Sequence, residues 1–183
     1  MKQLAGIFLI YLSVVSHAQD RGELELATWR DHLPYNEANS VTYGDGIIYC
    51  GTSGAVYSYE PETYELTRMT TISGLSDVGV SKIKYSKDTR TLIVAYQNGN
   101  LDLIKNGNIN NLPFIKNSNI IADKTINDIR IDGSLAYLSC GFGIVLLDVE
   151  EGLISNQYYI GDNGAYLNVN DVELTDVFIY AAT

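Results

Sequence analysis

Few groups in this chain could carry chemistry: two cysteines, Cys50 and Cys140, two histidines, His17 and His32, and 22 carboxylates. His32 lies in Trp29-Arg30-Asp31-His32-Leu33-Pro34-Tyr35, with no Cys or Glu at ligand spacing around it. A zinc site needs three or four such ligands, so His32 does not make one. No Ser or Cys sits in a strained nucleophile turn either, which leaves a hydrolase triad without its first member. Carboxylate pairs such as Glu23/Glu25 and Glu150/Glu151 read as solvated strand and turn faces. The alternating Asp/Asn pattern of a calcium loop is missing, and Gly161-Asp162-Asn163-Gly164 reads as a tight turn. Glycine-rich phosphate loops need a helix behind them, and no segment past residue 20 has helical periodicity. The expectation is a non-enzymatic chain with no catalytic, cofactor-binding or metal-binding residues.

The elements that carry these residues recur. A short apolar strand, a small-residue turn with glycine and a second strand occur at Ile47–Tyr57, Leu92–Leu103 and Ala136–Leu146, and begin again at Phe178–Thr183. The glycines Gly54, Gly99 and Gly143 are 45 and 44 residues apart. Ahead of each copy lies an alternating strand: Ser40–Tyr43, Lys82–Tyr85, Asp128–Ile131 and Asp171–Leu174. A more polar strand follows, at Tyr64–Met69 and Leu153–Tyr159; in copy two, Ile109–Ile115 is broken by Pro113, which suits only an edge. Four short strands at a period in the forties are the signature of β-propeller blades. The fold class is therefore all-β, a partial β-propeller of three four-stranded blades and the start of a fourth. Turns are expected near Ser53-Gly54, Asn98-Gly99 and Phe142-Gly143, and burial at Ile48, Val94, Leu138 and Ile144. Leu24–Arg30 has the pattern of the outer strand of a last blade, and is expected unpaired or on an adjacent edge. Cys50 and Cys140 fall a whole blade apart, beyond the roughly 7 Å a disulfide spans, so both thiols are expected free. Most of the tyrosines are expected to pack between blades.

Lys2, the apolar run Leu4–Val15 and the small-residue end Ser16-His17-Ala18 form a secretory signal peptide, residues 1–18, with the propeller domain at 19–183. That run is too short for a direct membrane span. The formal net charge is −10 at pH 7. Nucleic acid as a partner is excluded on that balance, since phosphate contact needs clustered Lys and Arg.

Ile72-Ser73-Gly74-Leu75-Ser76-Asp77 followed by Val80-Ser81-Lys82-Ile83 resembles the two-component regulator propeller repeat. The stretches Trp29–Tyr35, Val94–Ile104, Ala136–Val145 and Ile179–Thr183 together resemble, in order and spacing, the PorZ-like accessory proteins of the type IX secretion system in Bacteroidetes. The resemblance implies an exported, non-catalytic propeller in the periplasm or at the cell surface and outer membrane. Its implied partners are the sortase-complex proteins and anionic lipopolysaccharide, in support of cargo processing and anchoring. It marks no binding residues. The alternative from the same repeat is a periplasmic glycan-sensing propeller of a hybrid two-component regulator. Against that, Ile48-Tyr49-Cys50-Gly51-Thr52 and Leu138-Ser139-Cys140-Gly141 stand where those sensors carry a tryptophan-rich strand. A third reading, a propeller lyase or glycosidase, has no histidine or inner carboxylate set to support it.

Overall fold

The computed structural model describes residues 37–183. The expected signal peptide (residues 1–18), Glu23/Glu25, Leu24–Arg30 and His32 lie outside the described residues. Three sheets of four antiparallel strands follow one another along the chain, each a simple up-and-down meander. The first holds β1 (Ala38–Gly44), β2 (Ile47–Thr52), β3 (Val56–Glu60) and β4 (Glu65–Met69). The second holds β5 (Val80–Ser86), β6 (Thr91–Tyr96), β7 (Leu101–Lys105) and β8 (Asn108–Leu112). The third holds β9 (Ile126–Asp132), β10 (Leu135–Cys140), β11 (Gly143–Asp148) and β12 (Leu153–Tyr158). A two-stranded sheet, β13 (Asp171–Leu174) with β14 (Ile179–Ala182), begins the fourth. Helical structure among the described residues is limited to two short 3-10 turns, Thr71–Ser73 and Asp162–Gly164.

Local chemistry explains the meanders. Asp45-Gly46 and Asn106-Gly107 close hairpins with both residues at positive φ (50° and 83°, 52° and 76°), the twist that matches the flanking strands. Pro113 falls just past the end of the edge strand β8, where a missing N–H costs no ladder bond. Each inner strand carries a bulge at one repeated position, occupied by Asn39, Ser81 and Asn127. Two of these side chains latch the next blade: the Asn39 amide donates to the Val80 carbonyl (2.6 Å) and the Asn127 amide to that of Val169 (2.7 Å).

The core lies between blades. Ile93, Leu101, Leu112, Ile126, Leu138 and Leu147 form part of the cluster joining the second and third sheets, and Ile83, Leu92 and Val94 part of that joining the first and second. Each such side chain contributes about 1.5–3 kcal/mol on full burial. Val94, Leu138 and Ile144 are buried as expected, but Ile48 is 37% exposed. The reason is positional. Ile48 faces outward from blade one together with Val41 (69%) and Tyr43 (57%), where no neighbouring blade lies among the described residues; their repeat counterparts Leu92, Ile83 and Tyr85 are covered by blade one. Ion pairs follow the same period. Lys82–Asp128, Arg90–Asp45, Lys105–Glu150 and Arg130–Glu173 each join one blade to the next.

Candidate functional site

One end of the described blades gathers the long connections 70–79, 113–125 and 159–170 beside the β2–β3, β6–β7 and β10–β11 turns. Hydrogen bonds run from connection to turn in a belt. Gly79 N–H donates to Ser53 O, Gln97 N–H to Gly79 O, the Thr125 hydroxyl to Gln97 O and Gly141 N–H to Thr125 O. The belt closes on the fourth unit, where Val169 N–H donates to Cys140 O at 3.0 Å. A loop face with its backbone groups so paired is a fixed platform rather than a set of independent loops.

Blade two adds a polar network beneath this face. Asp102 on β7 is fully buried, and its carboxyl accepts from the Tyr96 hydroxyl (2.5 Å), Ser76 N–H (2.8 Å) and the Asn111 amide (2.9 Å). Asn111 also donates to Asn100, whose own amide reaches Asp77 at 3.3 Å. Asp77 takes two stronger donors, Asn98 and Lys116, both at 2.7 Å. Partial burial pushes the Asp77 carboxyl up, but the Lys116, Asn98 and Val78 hydrogen bonds outweigh it and hold the group down at about 2. Burial, then the bond to Asp102, drives the Tyr96 phenol far above its ordinary range. The Asp102 carboxyl is fully enclosed, with three donors on it. Its role is to fasten connection 70–79 to the blade through Ser76.

Among the described residues, no further side chains gather on this face into a His, Cys, Asp or Glu cluster, and no group of three or more of these types could hold a metal ion. Cys50 and Cys140 are both free thiols; burial drives the Cys140 thiol up, which makes it inert. The Asp148 carboxylate caps the turn by accepting from the backbone N–H groups of Glu150 and Glu151, whose own side chains are exposed, Glu150 pairing with Lys105, a solvated arrangement as read from the sequence. Gly161–Gly164 is a tight turn, closed by Gly164 N–H on Gly161 O. Among the described residues no helix is long and apolar enough to cross a membrane.

What the face does present is apolar surface. Ile72, Val78, Phe114, Ile121, Tyr166 and Leu167 are all exposed, and all lie on the three long connections. Tyr159 and Tyr166 meet edge to face at 5.3 Å, both over the buried ring of Phe142 at 6.4 and 6.3 Å. No periodic pattern signals these residues, since they fall between strands. That they are apolar and yet sit in loops is the one sequence signal they leave.

Residues 48–183 match the family described as "TSS9, PorZ, N-terminal beta-propeller domain". A solved structure of PorZ from Porphyromonas gingivalis, titled as an essential bacterial surface component of the type IX secretion system, matches at 32% identity with a TM-score of 0.70. The match covers 79% of this chain and 19% of that one, so the chain spans about a fifth of the length of this relative. The extracellular domain of a hybrid two-component system from B. thetaiotaomicron matches at 18% identity, TM-score 0.64, over 79% and 19% of the two chains. A computationally designed protein, Ika4, matches at 10% identity, TM-score 0.59, over 82% and 87%. These two likenesses show the fold alone. No curated protein sequence matches the chain.

Proposed function

The chain belongs to the PorZ N-terminal β-propeller family of the type IX secretion system, and from that premise we propose that it is a non-catalytic binding domain of a secretion accessory protein, exported by residues 1–18 and working at the outer-membrane surface. Its partners in this reading are proteins of the sortase complex and anionic lipopolysaccharide, and its task is to support cargo processing and anchoring. The observation that carries the reading is the belted loop face, which offers rigid apolar and aromatic surface and no reactive cluster among the described residues. Propellers bind with loops of several blades around one rim, so affinity is spread over many weak contacts. A chain of net charge −10 would repel a polyanion at long range. Contact with a glycan would therefore rest on the Tyr159/Tyr166 surface and on hydrogen bonds rather than on a cationic patch.

The test is made in the full-length protein in its own cell. Deleting the propeller is expected to release cargo with its sorting signal uncleaved, or unattached to the surface. His32→Ala and Asp102→Asn are expected to leave anchoring intact, because neither group does chemistry. Normal anchoring after the deletion would remove the proposal. Loss of a transcriptional response to a glycan, with anchoring unchanged, would move the assignment to a sensor.

A further inference from the structure

The interface between blades one and two differs from that between blades two and three at matched positions. In the register, Ser58 of β3 stands where β7 has Leu103. The tight Asn106-Gly107 turn after β7 brings no apolar side chain to the blade-one side, whereas the longer turn after β11 brings Val149 against blade two. Leu103 and Val149 are 5% and 3% exposed and fill the second interface. With Ser58 and Asn106 in their places, the first interface keeps a cleft of about 390 Å³, against about 140 Å³ at the matched place in the second.

The cleft is also shaped. Tyr49 and Tyr85 stack along it, ring centroids 5.8 Å apart and planes 8° from parallel. The Tyr85 ring lies flat on Gly44, where a Cβ would come within 1.9 Å of it, so a backbone concession has been made to place that ring. Leu92, Ile104 and Met69 give an apolar floor. At the rim, where Tyr85 also lines the cleft, Arg90 Nε donates to Asp45 at 2.7 Å. Such a rim offers donor and acceptor together with no net charge.

We propose that this cleft is a binding site for a small, neutral, planar aromatic ligand with one hydrogen-bonding edge, of the phenol or indole class. A concave, mostly apolar volume of a few hundred Å³ with a few convergent polar groups is the usual form of a small-molecule site. The flat tyrosine wall selects a ring, which packs offset or edge-on against it. The thioether of Met69 adds a polarizable contact. Because Arg90 and Asp45 neutralise one another, a hydroxyl or ring N–H is matched there and a fully charged group is not. This site lies on other residues than the loop face, and neither proposal depends on the other.

The experiment uses the full-length protein and indole and phenol as probes, followed by ligand-observed saturation-transfer NMR. Saturable binding of indole is expected, weakened at least tenfold by Ser58→Leu, which installs the side chain that the second interface already carries. The same substitution is expected to leave the melting temperature unchanged or raised. Crystals soaked in 5-bromoindole are expected to show bromine between the Tyr49/Tyr85 wall and Met69. No saturable binding, equal binding by Ser58→Leu, or bromine only elsewhere would each overturn the proposal. Should Ser58→Leu fail to fold, the bromine position in the wild-type protein decides alone.

Discussion

Asp77 and Asp102 stand at two ends of one hydrogen-bonded run, and they make different predictions. Asp77 is held at about 2, below its ordinary 3.8. A depressed folded value means stability that is present above the unfolded value and is lost as pH falls through the folded one. The window is therefore roughly pH 4 down to 2, and the contribution, discounted for the partial exposure of Lys116, is about 1 kcal/mol. Protection factors of the amides of connection 70–79 in the full-length protein, that is, exchange rates corrected for their intrinsic pH dependence, are expected to fall between pH 4 and pH 2, and those of Asp77→Asn to be lower already at pH 6 and to change less on acidification. An equal response in the variant would place the effect elsewhere. Asp102→Ala would leave the Tyr96 hydroxyl buried without an acceptor, at about 1–3 kcal/mol, and would release the part-buried Ser76 N–H. A fall in melting temperature well beyond that of Asp102→Asn is expected. Asp102 was not legible as a buried group. In Leu101-Asp102-Leu103 it occupies the alternate position that a half-exposed strand turns to solvent, whereas β7 is a middle strand of a blade covered on both faces.

At the scale of the elements, the belt and the latches depend on backbone geometry at two points. Gly99 closes a three-residue β6–β7 turn at φ 81°, and a Cβ there would lie 2.7 Å from Ile115 and 3.1 Å from Lys124. Gly99→Ala is expected to cost on the order of 1–3 kcal/mol, read as a lower denaturant midpoint. The bulge position offers the opposite sign. Asn39 and Asn127 latch their neighbouring blades, but Ser81 stands at the same place in blade two with its hydroxyl buried and unpartnered. Ser81→Asn, reaching for the Ile126 carbonyl as Asn39 reaches Val80, is expected to stabilise by about 0.5–1 kcal/mol, measured by the same midpoint. A loss of stability would show that blade two lacks room for the longer side chain. The strands themselves were legible because period two and a repeat in the forties survive any detail of packing. The turns were less so: Gly54 and Gly99 end their turns, while Gly143 is already the first residue of β11, paired with Cys140. Sequence spacing aligns glycines; register aligns hydrogen bonds, and the two differ by one residue in blade three.

For the whole molecule, the repeat made the architecture readable but not which faces would be covered. Val41 and Ile83 occupy one repeat position, yet they are 69% and 1% exposed. Nothing local distinguishes them; burial belongs to the neighbouring blade, as expected of a fold in which each unit contacts only the next. The same holds for Ile48 against Leu92, and it explains why Ile48 reads as a core residue in isolation. At the other end Val177 and Phe178, in the β13–β14 turn, and Tyr180, on β14, are exposed. Two uncovered apolar faces at opposite ends of a sheet stack, with strand edges beside them, favour association of copies. The interblade ion pairs do not offset this, because exposed pairs contribute little and are screened by salt. Residues 19–183 expressed alone are therefore expected to be poorly soluble or loosely packed, binding a hydrophobic dye and melting without a sharp transition. Adding salt is expected to increase association rather than relieve it, since the attraction is apolar and the chain's net charge is what keeps copies apart. A monomer in sedimentation with a sharp, reversible melt by circular dichroism would overturn this, and would mean that the two end faces find cover within the segment itself.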